Sequence, residues 1–255
     1  MVTLGVVPYL NAVPLTERLD PSVRLVGQVP ARLGPLLDAG EVDAALLPVY
    51  EALQGVGDGF LGEYGIASRG AVTSVLLFLR TPLDQVRSLL LDPASRTSVG
   101  LARHLVSEAT NGADVAVREA AAPGQDPRTS DADAVLLIGD PAMRYGALWE
   151  GDVLDLGEAW TRGTGLPFVY ARWTARAGLT GEERDALTTL LDDGARAGVA
   201  AQEELARAWA EARQADPQAA ARYVREHVHY HIGPDEEAGL ARYGAIVHAQ
   251  AASKA

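Results

Sequence analysis

Three hydroxyl side chains fall within four positions at Ser95, Thr97 and Ser98, with Arg96 among them, and an apolar-periodic stretch that reads as a helix follows. Hydroxyls at a helix start put side-chain O–H groups beside backbone N–H groups that have no intrahelical partner, which is carboxylate- or phosphate-binding chemistry. Plain N-capping by Ser95 or Thr97 suits the same residues, so the segment alone leaves both roles open. Three further polar groups stand where strands are expected to end or cross. Asn11 closes the run Val6-Val7-Pro8-Tyr9-Leu10-Asn11 ahead of a helix led by Pro14; its amide suits either charge stabilisation or a turn. Thr73-Ser74 lies within an expected strand, where a polar position is ordinarily the wet face. Gly139-Asp140 follows Leu136-Leu137-Ile138 and precedes Pro141, an N-cap arrangement at the edge where open α/β sheets bind ligands.

Other chemistry is poorly served. His227, His229 and His231 form an alternating triplet, but the flanking residues read as a helix ending before Gly233-Pro234, and no acidic or Cys cluster completes a metal-ligand set. No Gly-rich phosphate loop, HExxH or GxSxG is present, so any catalysis is expected to be cofactor-free.

Such groups act only if the fold gathers them. Strands are expected at 3–7, 23–26, 43–47, 71–79, 88–91, 113–117, 134–138 and 168–173, with helices at 14–18, 30–39, 49–54 and 98–109 between them. This alternation is the pattern of mainly parallel sheets covered by helices, an α/β fold. Beyond residue 180 the chain is rich in Ala, Glu and Arg and reads as helix, without a sustained heptad, so packing on the sheets is expected rather than a coiled coil. If 71–79 and 168–173 both cross between lobes, residues 1–80 and 169–255 form one lobe and 81–168 the other, with the site in the cleft between them.

The 255 residues are 48% apolar and 22% charged, enough for two modest cores, and the net charge of −12 argues against nucleic-acid or anionic-membrane partners. An anionic ligand must therefore be held by local donors against an unfavourable overall field. There is no Cys, which removes disulfides, thiolate metal sites and cysteine nucleophiles together. Met1-Val2-Thr3-Leu4-Gly5 carries no basic segment and its apolar run breaks at Pro8, so the cytoplasm is the expected address. The oligomeric state is not legible.

Taken together, several segments resemble one family. They are Tyr9-Leu10-Asn11-Ala12 with Pro14-Leu15; Asp43 with Leu47-Pro48; Gly70-Ala71-Val72-Thr73-Ser74-Val75; Asp92 with Ser95-Arg96-Thr97-Ser98-Val99; Leu136-Leu137-Ile138-Gly139-Asp140; Asp155-Leu156-Gly157; and Trp160 with Thr164-Gly165-Leu166-Pro167-Phe168-Val169. Over about residues 3–175 the chain looks like the chorismate dehydratases of the futalosine route to menaquinone. The resemblance implies a two-lobed, type II periplasmic-binding-protein-like fold with two crossover strands. It also implies loss of water from chorismate to give 3-[(1-carboxyvinyl)oxy]benzoate, without cofactor or metal.

On that resemblance, Asn11 and Ser74 are the expected catalytic residues. Tyr9, Pro48, Thr73, Ser95, Arg96, Thr97, Ser98, Gly139 and Asp140 are expected to bind the dianionic substrate, the 97–98 helix start and the Ser74 region each taking a carboxylate. Val49 stands where the family often has Ser after Pro48, which removes one hydroxyl donor. No His among these segments offers a base, leaving Asp140 or the substrate's own enolpyruvyl carboxylate for that role. Two alternatives are a non-catalytic small-anion-binding protein, which would ordinarily carry a secretory leader or lipoprotein Cys, and a same-fold lyase such as 1,4-dihydroxy-6-naphthoate synthase, whose Ser-Pro-Cys-Pro-Asn-like opening this chain lacks.

Overall fold

The computed structural model describes residues 1–252. In chain order the first elements are β1 (Thr3–Val6), α1 (Val13–Thr16), β2 (Arg24–Gly27), α2 (Pro30–Asp38), β3 (Ala44–Pro48), α3 (Val49–Leu53) and β4 (Phe60–Ser68). There follow β5 (Val75–Leu79), β6 (Ser88–Leu91), α4 (Arg96–Ala109), β7 (Ala116–Glu119), β8 (Ala134–Ile138), α5 (Gly139–Gly146), β9 (Asp152–Asp155) and α6 (Leu156–Thr164). The chain ends with β10 (Phe168–Ala175), α7 (Gly181–Ala200), α8 (Gln202–Glu211), α9 (Pro217–Glu226), β11 (His229–His231) and α10 (Pro234–Ala252). No described helix is long and apolar enough to cross a membrane.

Two sheets result. The first has the order β11-β4-β10-β3-β1-β2 and the second β7-β6-β8-β5-β9. Strands β3, β8 and β10 are buried at every position, as uninterrupted apolar runs must be when both sheet faces are covered. Pairing is parallel for β1 with β2 and β3 and for β6 with β7 and β8, whereas β10 runs antiparallel to β3 and β4.

Val75–Leu79, expected with the first block, pairs instead with β8 and β9 of the second sheet. The passage between sheets is thus the loop 69–74 after β4, and the return is α6 with residues 165–167; neither crossing is itself a strand. The first crossing is held by the second. The Asp155 carboxylate accepts the N–H groups of Val72 at 3.1 Å and Thr73 at 2.6 Å while capping α6 through Glu158 N–H, and Gly70 N–H donates to Thr161 Oγ1. Thr73 adopts φ +59°, a left-handed conformation that β-branched residues avoid and that these bonds help hold.

The C-terminal helices pack on this frame. Gly198 of α7 lies against the Pro14 carbonyl and Gly194 against Leu19, so small residues let α7 approach α1 closely. Tyr243 of α10 sits edge-on to Trp160 and Phe168, with centroids 6.2 Å and 5.0 Å away. The His triplet is not a helix end throughout: α9 stops at Glu226, His227 is its C-cap, and His229–His231 adds an edge strand to β4. The three imidazoles go to separate partners. His227 Nδ1 meets the Ala71 carbonyl, His229 lies 3.5 Å from Glu236 and His231 3.9 Å from Glu63. Among the described residues no three acidic or imidazole groups converge as metal ligands would.

Candidate functional site

The strand-to-helix junctions of both sheets open toward one another, and between them lies a cleft of about 510 Å³, part of it open to solvent. It is lined by Tyr9, Asn11, Pro48, Ser74, Ser95, Ser98 and Gly139, together with Tyr170 and apolar side chains such as Val7, Leu46 and Ile66. Seven of the residues expected from sequence thus meet in one place, drawn from five separate segments.

The α4 start supplies one wall. Ser95, rather than Thr97, is the N-cap: its hydroxyl accepts the Ser98 N–H at 3.3 Å and the Ser98 hydroxyl at 3.3 Å. Both lone-pair directions of Ser95 Oγ are engaged, so its own O–H is available to a ligand, next to the Arg96 and Thr97 N–H groups of the first turn. At the opposite edge Gly139 takes φ +64°, and a Cβ there would meet the Tyr9 ring at 3.2 Å, so only Gly satisfies both the backbone and the packing. Burial, with the charges of Asp92 and Asp140 nearby, pushes the Tyr9 phenol up to about 12, so it stays a neutral donor.

Asn11 and Ser74 meet beside a residue that sequence reasoning passed over. Tyr223 of α9 donates its O–H to Ser74 Oγ at 2.8 Å, both groups being buried. The Asn11 amide contacts the same Tyr223 hydroxyl, while Asn11 Oδ1 is buried with no partner. Ser74 itself lies in the crossing just before β5 rather than within a strand, with its carbonyl accepting the Gly139 N–H at 2.7 Å.

Four expected residues do not line the cleft. Thr97 is fully buried; its Oγ1 accepts the Tyr50 N–H and its carbonyl accepts the Tyr243 O–H, so its side chain ties α4 to α3 and its backbone ties α4 to α10. Arg96 projects outward, its side chain 68% exposed and Nε 3.9 Å from Glu51. Thr73 faces a separate groove with Asp155 and His227 because its left-handed backbone turns it away. Asp140 borders a neighbouring cavity with Arg213; burial pushes it up to about 6, against the lowering effect of the nearby Leu10 N–H.

Glu51 was also unforeseen. It is 5% exposed, neither carboxylate oxygen has a hydrogen-bond partner within normal geometry, and burial pushes it up to about 7 against smaller opposing effects of its own backbone N–H and of Arg96. Nothing local marks Tyr223 or Glu51: the Tyr223–Ser74 bond spans 149 positions, and Glu51 reads as an ordinary first-turn acid.

A family model described as Menaquinone biosynthesis matches residues 2–249. The chain belongs to this menaquinone-biosynthesis family. A chorismate dehydratase from Thermus thermophilus is 33% identical over 256 aligned residues, covering 93% of this chain and 92% of the relative. Among solved structures, a protein from Archaeoglobus fulgidus superposes with a TM-score of 0.77 at 14% identity, covering 98% of this chain and 97% of that one. The periplasmic aliphatic sulphonate binding protein of Escherichia coli gives 0.64 at 14% identity, covering 98% and 87%. The menaquinone-biosynthesis family member thus has a periplasmic-binding-protein-like α/β fold with a helical C-terminal segment, as the sequence resemblance implied.

Proposed function

We propose that this protein is a chorismate dehydratase, a hydro-lyase converting chorismate to 3-[(1-carboxyvinyl)oxy]benzoate and water in menaquinone biosynthesis. The observation that carries the reading is its 33% identity along 93% of the chain to the Thermus enzyme of that name. The cleft supports it. Chorismate carries two carboxylates, a hydroxyl at C4 and a proton at C3; removing the last two completes an aromatic ring, so the step is strongly downhill. The protein has to orient the ring, hold the anions and stabilise charge as the C4–O bond breaks.

The Ser95 hydroxyl, oriented by the Ser98 donors, and the Arg96 and Thr97 N–H groups take a carboxylate, and the positive end of the α4 dipole favours it. Tyr9 and Pro48 flank the ring, with Asn11 and Ser74 at its reacting edge. The groups lining the cleft are hydroxyls, an amide and apolar side chains. We therefore assign proton removal from C3 to the enolpyruvyl carboxylate of the substrate rather than to Asp140, which lines a neighbouring cavity instead of the cleft. The electron pair of the C3–H bond forms the C3–C4 double bond, and the departing hydroxide takes a proton to leave as water. The proposed address is the cytoplasm, as befits a biosynthetic step.

Incubation of the pure protein with chorismate, followed by mass spectrometry, tests the reading: the expected product is lighter by one water. A stable complex with unchanged chorismate would overturn it and leave an anion-binding protein.

A further inference from the structure

We propose that Tyr223 is a positioning residue that fixes the direction of the Ser74 hydroxyl, so that Ser74 and Asn11 together form a seat for an alcohol. The inference rests on the dehydratase reading for the identity of that alcohol, the C4 hydroxyl.

The argument follows hydrogen-bond polarity. A hydroxyl oxygen that accepts a hydrogen bond must send its own proton elsewhere. Tyr223 donates to Ser74 Oγ at 2.8 Å, and Ser74 Oγ has no other side-chain partner among the described residues, so its proton is left for whatever occupies the cleft that Ser74 lines. Asn11 supplies the opposite polarity. Its Oδ1 is buried without a partner, an unused acceptor on a residue that lines the same cleft.

The relay therefore runs from Tyr223 O–H to Ser74 O–H, and the cleft is left with one donor from Ser74 and one acceptor from Asn11. A carboxylate satisfies the donor but is repelled by Oδ1, whereas an alcohol uses both, accepting from Ser74 and donating to Asn11. The polarity thus moves Ser74 from the carboxylate role expected from sequence to the leaving hydroxyl. It is also suited to the reaction, because the Ser74 donor faces the oxygen on which charge develops. Tyr223 is buried and burial raises its phenol above the ordinary tyrosine range, so it remains a donor across the working pH range.

Tyr223→Phe removes one oxygen from a buried ring and frees Ser74 to turn its proton away. The expected result is a kcat/KM for chorismate lower by roughly tenfold or more. Binding of the product, which lacks the C4 hydroxyl, is expected to change by less than about twofold, measured by calorimetry on the same preparations. The substrate-selective loss separates positioning from a structural role, which would weaken both ligands together. Equal losses for chorismate and product, or no loss for either, would overturn the proposal. Ser74→Ala guards against misfolding of the Phe variant: Tyr223→Phe should then cost little further in the double variant, and additive losses would also overturn it. Failure of the dehydratase reading is distinct, since the unaltered protein would then leave chorismate intact.

Discussion

Replacing Glu51 by Gln should make the protein more stable at neutral and alkaline pH, contrary to the usual effect of removing a carboxylate near an Arg. The side chain is 5% exposed, neither oxygen is hydrogen-bonded, and Arg96 Nε is 3.9 Å away on an exposed side chain. Raising the carboxyl from 4.5 to about 7 means that the folded protein holds the proton more tightly than the unfolded chain does. Stability therefore falls as pH rises from 4.5 through about 7, the reverse of an ion-paired acid. At 1.36 kcal/mol per unit, the full penalty is about 3 kcal/mol, of which about 1 kcal/mol is already present at pH 5. Gln keeps the shape and never ionises. Urea unfolding of both proteins at pH 5 and pH 8 should show the Gln variant gaining about 2 kcal/mol on the parent between the two conditions, other carboxylates cancelling in the comparison. A difference that is flat with pH, or that moves toward the parent at pH 8, would refute the assignment of a costly buried charge.

Asn11→Ala should leave the melting temperature within a few degrees but lower kcat by about 10²-fold, as loss of a charge-stabilising amide does; steady-state kinetics on chorismate checks it. Asp155→Ala strips the acceptor from the Val72, Thr73 and Glu158 N–H groups and should cost about 2–4 kcal/mol in urea unfolding, with a fall in turnover because Ser74 follows directly. Gly198→Ala drives a methyl into the Pro14 carbonyl and should destabilise by about 1–3 kcal/mol in thermal melts, whereas Gly181→Ala, with open space around it, should not.

The strands of the second sheet that are buried and apolar were legible almost to the residue: 88–91 and 134–138 are β6 and β8. Strand β4 was not, because Gly62, Glu63 and Gly65 interrupt its apolar pattern and its pairing with β10 is irregular. The short β9 and β11 escaped for a related reason: an edge strand with exposed positions has little periodicity to read. A helix start at Ser98 is expected from sequence but α4 begins at Arg96, since Ser95 and Thr97 look alike as caps until one of them receives the N–H bond. Seven of the eleven expected site residues reach the cleft, because strand ends of both sheets point there whatever the details. What decides the remainder is contact across the sequence: Thr97 is taken by Tyr50 and Tyr243, and Thr73 is turned away by Asp155.

Tyr223 and Tyr243 lie in the helical segment that carries no recognisable motif, and each reaches back across nearly 150 positions to Ser74 and Thr97. During synthesis both sheets can be complete up to β10 before either tyrosine has left the ribosome. A nascent chain at that stage has its cleft-lining residues but not the groups that orient two of its key positions. Competence to turn over substrate therefore arrives late, with the docking of the last helices, and a fragment ending after β10 would carry the family's signature without its chemistry.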